Sequence, residues 1–189
     1  EGGEGSIRQG VPVYACQNGE KGILWVKLTT AGTPGHASMP SGDNAILKMA
    51  KVLDKLNQLK PKIELCATTR GYLKALAKQQ GMQLSETPAL AEQELKEFAT
   101  KYFQGEISAQ AMFHNTITPT IIRSGDKANV LPDHCEMVLD CRLLPGETPT
   151  DFLNQLQQYL AEEAVSFEVL QAALPTESPL DTKLYRIIE

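Results

Sequence analysis

The sequence predicts an α+β fold, a four-stranded antiparallel sheet with its helices on one face. Three observations predict it: segments that alternate apolar and polar residues, segments whose apolar residues recur at three and four, and the order in which the two kinds follow one another. The 189 residues suffice for a core without disulfide or metal staples. Apolar residues at 42% and charged residues at 22% exclude a disordered or fibrous chain.

The first 22 residues hold six glycines and one short apolar stretch at 11–15, and read as loop and edge strand. Residues 22–30 then alternate, with Leu24, Val26 and Leu28 on one face, as a half-buried strand does. Gly and Pro make 32–40 a loop. Over 44–59 the apolar positions Ile46, Met49, Ala50, Leu53 and Leu56 give an amphipathic helix that Asp43 or Asn44 can cap. Residues 61–107 read as a helical insert. Its clearest helix opens at Thr87-Pro88 and lines one face with Leu95, Phe98, Ala99 and Tyr102. A strand at 116–123, a turn at 124–127 and a strand at 134–143 follow. In the last, Cys135, Met137, Leu139 and Cys141 face one way, and Glu136, Val138, Asp140 and Arg142 the other. Thr148 to Asp151 opens a helix carrying Phe152, Leu156, Tyr159 and Leu160, and 165–170 is a final strand. With the insert set aside the order is β-α-β-β-α-β, the ferredoxin-like split βαβ pattern.

Composition narrows function further. A net charge of −5 and a pI near 5.3 argue against a nucleic-acid or anionic-membrane surface, and no apolar run reaches membrane-spanning length. Cys135 and Cys141, six residues apart on one strand, lie about 20 Å from each other and cannot pair. The four cysteines read as buried free thiols, which tilts the compartment to the cytoplasm. No C-x-x-C or H-E-x-x-H motif offers a metal site, and His134 and Cys135 point to opposite faces. Glu162-Glu163 reads as a solvated helix end. Ser38 stands too near His36 to be a nucleophile with its base, and no G-x-S-x-G elbow exists. His36, in a Gly/Pro loop, has the means to donate to a developing oxyanion, although a loop histidine more often has no role. Arg142 on an uncovered sheet face is commonly just solvated, yet its planar fork can hold a carboxylate.

Three segments, in order, resemble the lid or dimerisation domain of the di-zinc metallopeptidase family twenty, which includes aminoacylases, carboxypeptidases and acetylornithine deacetylase. They are Thr33-Pro-Gly-His-Ala-Ser-Met-Pro40, Lys127-Ala-Asn-Val-Leu-Pro132 and Asp140-Cys-Arg-Leu-Leu-Pro-Gly146. The insert and the Thr-Pro-Thr-Ile run look like the larger carboxypeptidase and N-acyl-amino-acid hydrolase branch. The resemblance implies that His36 reaches into the other subunit's active site to contact the oxyanion. It implies that Asn129 helps hold the substrate, that Arg142 clamps its free carboxylate, and that Glu1 is an acidic zinc ligand. Two Zn²⁺ ions would serve the intact enzyme, generating hydroxide while a Glu moves protons. The family's other ligands and its Glu-Glu pair have no counterpart in the chain, so the chain is expected to bind no zinc tightly and to hydrolyse nothing alone.

The implied layout is 1–21 as the trailing end of the catalytic zinc domain, 22–175 as the lid, and 176–189 as the return, both ends being cuts within a longer chain. Exposed strand edges make a homodimer the expected assembly. Two alternatives stand beside this reading. A non-catalytic ferredoxin-like module for pairing or ligand sensing would lack convergent polar groups, whereas His36, Asn129 and Arg142 supply them. An RNA-binding sheet would need basic charge and exposed aromatics, which the acidic balance and 6% aromatic content oppose.

Overall fold

The computed structural model describes residues 5–8, 10–161 and 163–188. In chain order the elements are β1 (Gly5–Arg8), β2 (Val11–Tyr14), β3 (Gly19–Glu20), β4 (Gly22–Ala31), β5 (Gly35–His36), α1 (Ala45–Gln58), α2 (Ala67–Gln79), α3 (Pro88–Tyr102) and α4 (Ile107–Gln110). A 3-10 turn at Ala111–Phe113 leads to β6 (Thr116–Ser124), β7 (Val130–Leu131), β8 (His134–Leu143), α5 (Pro149–Tyr159), β9 (Val165–Ala173), β10 (Thr176–Glu177) and α6 (Lys183–Ile188).

The main sheet runs β6-β8-β4-β9, every neighbouring pair antiparallel. Alternation along β4 and β8 buries Leu24, Val26, Leu28, Cys135, Met137, Leu139, Cys141 and Leu143 on one face. Helix α1 covers that face with Ala45, Met49, Val52 and Leu56, and α5 with Phe152 and Leu156, so both helices share one core with the sheet. The stripe that α1 buries differs from the predicted one. Ile46 and Ala50 lie on its flank and are exposed, because small Ala45 and Val52 sit at the centre of the contact. Asn44 caps α1, accepting from the backbone N–H groups of Ile46 and Leu47 at 2.8 and 3.2 Å.

The helical segment has its own core of Leu65, Leu73, Leu76, Ala77, Leu95, Ala99, Phe103, Ala109 and Phe113. It therefore extends past the predicted limit of 107 to Phe113, where a second aromatic closes on Phe103 with ring centres 5.4 Å apart. The glycine-rich start holds more structure than expected. Gly10 at φ +81° turns the chain between β1 and β2, which pair as a hairpin. Arg8 on that hairpin forms an ion pair with Glu106 at 3.0 Å and lies over the Phe103 ring.

All four cysteines are free. Cys135 and Cys141 are buried as expected, but Cys16 is exposed and Cys66 only half-buried, since neither falls on a core-facing strand position. Among the described residues no helix is long and apolar enough to cross a membrane.

Candidate substrate-contacting site

The loop after β4 is not wholly irregular. β5 pairs with β7, setting Gly35 against Leu131 and His36 against Val130, and the Ala37 N–H donates to the Asn129 carbonyl at 3.0 Å. This short ladder brings together the His36 and Asn129 segments, which are far apart in sequence. Gly32 lets the start of this loop pass close to α1: a Cβ there would stand 2.5 Å from the Ala45 backbone nitrogen. Its N–H donates to the Asp133 carbonyl at 2.7 Å, tying the loop to the start of β8.

His36 is exposed, and its ring is held. The Ser38 N–H donates to Nδ1 at 3.2 Å, and the Ser38 hydroxyl lies 2.7 Å from the same nitrogen. A backbone N–H can only donate, so Nδ1 accepts and the neutral ring carries its proton on Nε2. That leaves an N–H donor facing outward. Ser38 orients the histidine; the sequence alone excluded it only as a nucleophile.

Arg142 stands near the opposite end of β8, on the face away from the helices, across from Ile23 of β4 and Thr116 of β6. Its Nε and Nη2 donate to the two oxygens of Asp140 at 2.7 and 2.9 Å. The Trp25 indole N–H donates to Asp140 Oδ2 at 3.0 Å. The Arg142 guanidinium holds the Asp140 carboxyl below the usual carboxylate range, with the indole adding to the effect, and Asp140 in turn raises Arg142. Alternation along β8 could have revealed the Asp140–Arg142 pair. Trp25 required the cross-strand register.

Nearby, Lys21 donates to the carbonyls of Ala111 and His114 at 2.6 and 2.5 Å, fastening the end of the helical insert to the start of β4. Burial, and then the charge of Arg142, push its ammonium down to about 8.

The eight residue steps from His134 to Arg142 correspond to about 27 Å of strand. The His36–Asn129 ladder is tied to one end of β8, and Arg142 stands near the other. The segments that enter and leave the domain meet at the Arg142 end, where β3 pairs with β10 and Asn18 and Ser178 exchange hydrogen bonds.

The described residues do not fit a di-zinc centre. No three His, Cys, Asp or Glu side chains among them converge, and Cys135 and Cys141 are sealed in the core. His134 lies 2.6 Å from Asp133 on the surface, and Glu163 pairs with Lys55 at 3.4 Å. Glu1 and Glu162 lie outside the described residues.

A two-layer α+β module with an oriented histidine at one end of its sheet and a held arginine at the other is the class of protein that these features define. The chain belongs to the peptidase dimerisation domain family of the M20 metallopeptidases, which it matches over residues 18–168. It is 28% identical to the human N-fatty-acyl-amino acid synthase/hydrolase PM20D1 over 91% of its own length and 34% of that protein's. It is 27% identical to the Xenopus tropicalis protein of the same name, over 97% of the chain and 36% of the relative. Among solved structures, the M20 family metallo-carboxypeptidase Sso-CP2 from Sulfolobus solfataricus superimposes with a TM-score of 0.58 at 18% identity, covering 89% of this chain and 47% of that one. Human carnosine dipeptidase 1 gives 0.55 at 11% identity, over 89% and 40%. The chain thus spans about a third of the length of these curated relatives.

Proposed function

We propose that this chain is the pairing and substrate-capping domain of a zinc-dependent hydrolase that cleaves amide or peptide bonds of N-acyl amino acids or small peptides. On this reading the frame is ferredoxin-like, and 22–175 forms the lid. Residues 1–21 and 176–189 belong to a catalytic domain that supplies the metal ligands, Glu1 among them. The two Zn²⁺ ions would provide the Lewis-acid and nucleophile chemistry. The lid's own residues do the rest. His36 Nε2–H donates to the oxyanion, Asn129 helps hold the substrate, and Arg142 takes the free carboxylate.

One observation carries this reading: His36 and Arg142 are attached near opposite ends of one strand, too far apart to meet on one small substrate. In a homodimer the Arg142 end, where the chain enters and leaves the lid, serves its own subunit's active site, and His36 serves its partner's. The sheet edge at β6 suits the pairing. Ile121 and Ile122 are exposed there, one on each face of the sheet, opposite Val138 and Met137 of β8.

Mixed dimers of the full-length enzyme test it. His36→Ala and Arg142→Met homodimers should each be nearly inactive. A heterodimer of the two contains one site with both groups intact and should recover close to half of wild-type activity. No recovery would mean that one subunit supplies both residues to each site, and the reading would fail.

A further inference from the structure

We propose that Asp140 and Trp25 are positioning residues for Arg142, holding one edge of its guanidinium so that the other edge is presented to a substrate carboxylate. The inference rests on the reading of Arg142 as the carboxylate clamp. A guanidinium carries five N–H donors in a rigid plane. Asp140 takes two of them, from Nε and Nη2, along one edge. The parallel pair at the Nη1 and Nη2 end remains, a fork that matches a second carboxylate.

Asp140 can fix that direction because it is itself fixed. It stands two residues from Arg142 on the same face of β8 and directly opposite Trp25 in the β4–β8 register. The indole N–H and Arg142 Nη2 both donate to Oδ2, so the carboxylate is pinned from two sides and cannot swing while keeping its bonds. Trp25 is exposed on the open face of the sheet, where its indole can reach Asp140, and the β4–β9 register shifts beside it, between Trp25 and Val26. A free arginine would lose several rotatable bonds on meeting its ligand. Here that ordering is already done.

The charge balance gives the idea an unusual test, because attraction and orientation predict opposite signs. Asp140 partly neutralises Arg142, so removing its charge should tighten carboxylate binding if attraction were all that mattered. Positioning predicts weaker binding. In the full-length enzyme, KM would be measured for an N-acyl amino acid and for its C-terminal carboxamide, with wild type, Arg142→Met, Asp140→Asn and Trp25→Phe. We expect Arg142→Met to erase the preference for the carboxylate. Asp140→Asn should raise KM for the carboxylate by about tenfold, and Trp25→Phe by about two- to fivefold, with the carboxamide nearly unchanged. Equal losses on both substrates would mark a merely structural role and overturn the proposal. So would an unchanged or lower carboxylate KM in Asp140→Asn while Arg142→Met loses the preference. A preference that survives Arg142→Met would instead overturn the clamp reading itself.

A second measurement needs no turnover. The chain has one tryptophan, so a proton NMR spectrum of the 189-residue protein carries one indole N–H resonance. Asp140→Asn should move it upfield and speed its exchange with solvent; an unmoved resonance would overturn the proposal.

Discussion

At the scale of single residues, the same side-chain type has opposite fates according to the strand position it occupies. The Cys141 thiol is pushed up to about 12, first by burial and then by the charge of Asp140, and burial also raises Cys135. Cys16 lies exposed beyond the end of β2. Iodoacetamide at pH 8 should therefore modify Cys16 in the native protein and reach Cys135 and Cys141 only after denaturation, as intact-mass and peptide analysis would show. Rapid labelling of Cys141 in the native fold would contradict the packing described. The same logic applies to His36, whose proposed role calls for an oriented N–H rather than a charge. In the full-length enzyme His36→Ala should lower kcat by about 10²–10³ with KM changed much less. A change confined to KM would remove the oxyanion role.

At the scale of elements, helix α2 begins without a capping side chain of its own. Its N-terminus is instead closed by Glu177 from β10, whose Oε1 accepts from the Thr68 N–H at 2.7 Å and from the Thr68 hydroxyl. Glu177→Ala should lower Tm by about 2–4 °C, comparable to losing a local N-cap such as that of Asn44→Ala, and a scanning calorimeter would resolve both. The two caps show what a sequence can and cannot disclose. Asn44 stands next to its helix, and β8 announces itself by strict alternation, so both are readable from the chain alone. Glu177 lies 109 residues from Thr68 and carries no local signal. The β5–β7 ladder is likewise invisible in sequence, because two residues are too few to show a period and each strand exists only through the other. Of the candidate site, His36 and Arg142 are singled out by residue type and place in the sequence, and Asn129 only by the family resemblance. Ser38, which holds His36, and Trp25, which holds Asp140 beside Arg142, emerge only when a side-chain hydrogen bond and a register are known.

At the scale of the whole molecule, several carboxylates are held below their ordinary range by partners that folding creates. Arg142 does this to Asp140, Arg70 to Glu92, Lys48 to Asp43, Ser85 to Glu94 and His134 to Asp133. A depressed carboxylate stabilises the fold above its ordinary pKa, near 4, and that contribution is lost as pH falls through this range towards the depressed value. Glu147, raised by burial, acts in the opposite direction. The expected outcome is a Tm that is level from neutral pH to about 5 and falls below about pH 4. Asp140→Asn should make that fall shallower. A Tm that rises on acidification would show that these pairs do not govern stability.

The ten-residue β8 carries a constraint on how this protein can change over generations. Inserting or deleting one residue within it would turn Arg142 towards the helices and carry Cys141 into solvent, exchanging the two faces beyond that point. A two-residue change preserves the faces and alters the separation of the ends by about 7 Å. Where no bulge absorbs the change, lineages of this domain can therefore lengthen or shorten β8 only in even steps, so the distance between the His36 ladder and Arg142 is inherited in discrete increments rather than tuned continuously.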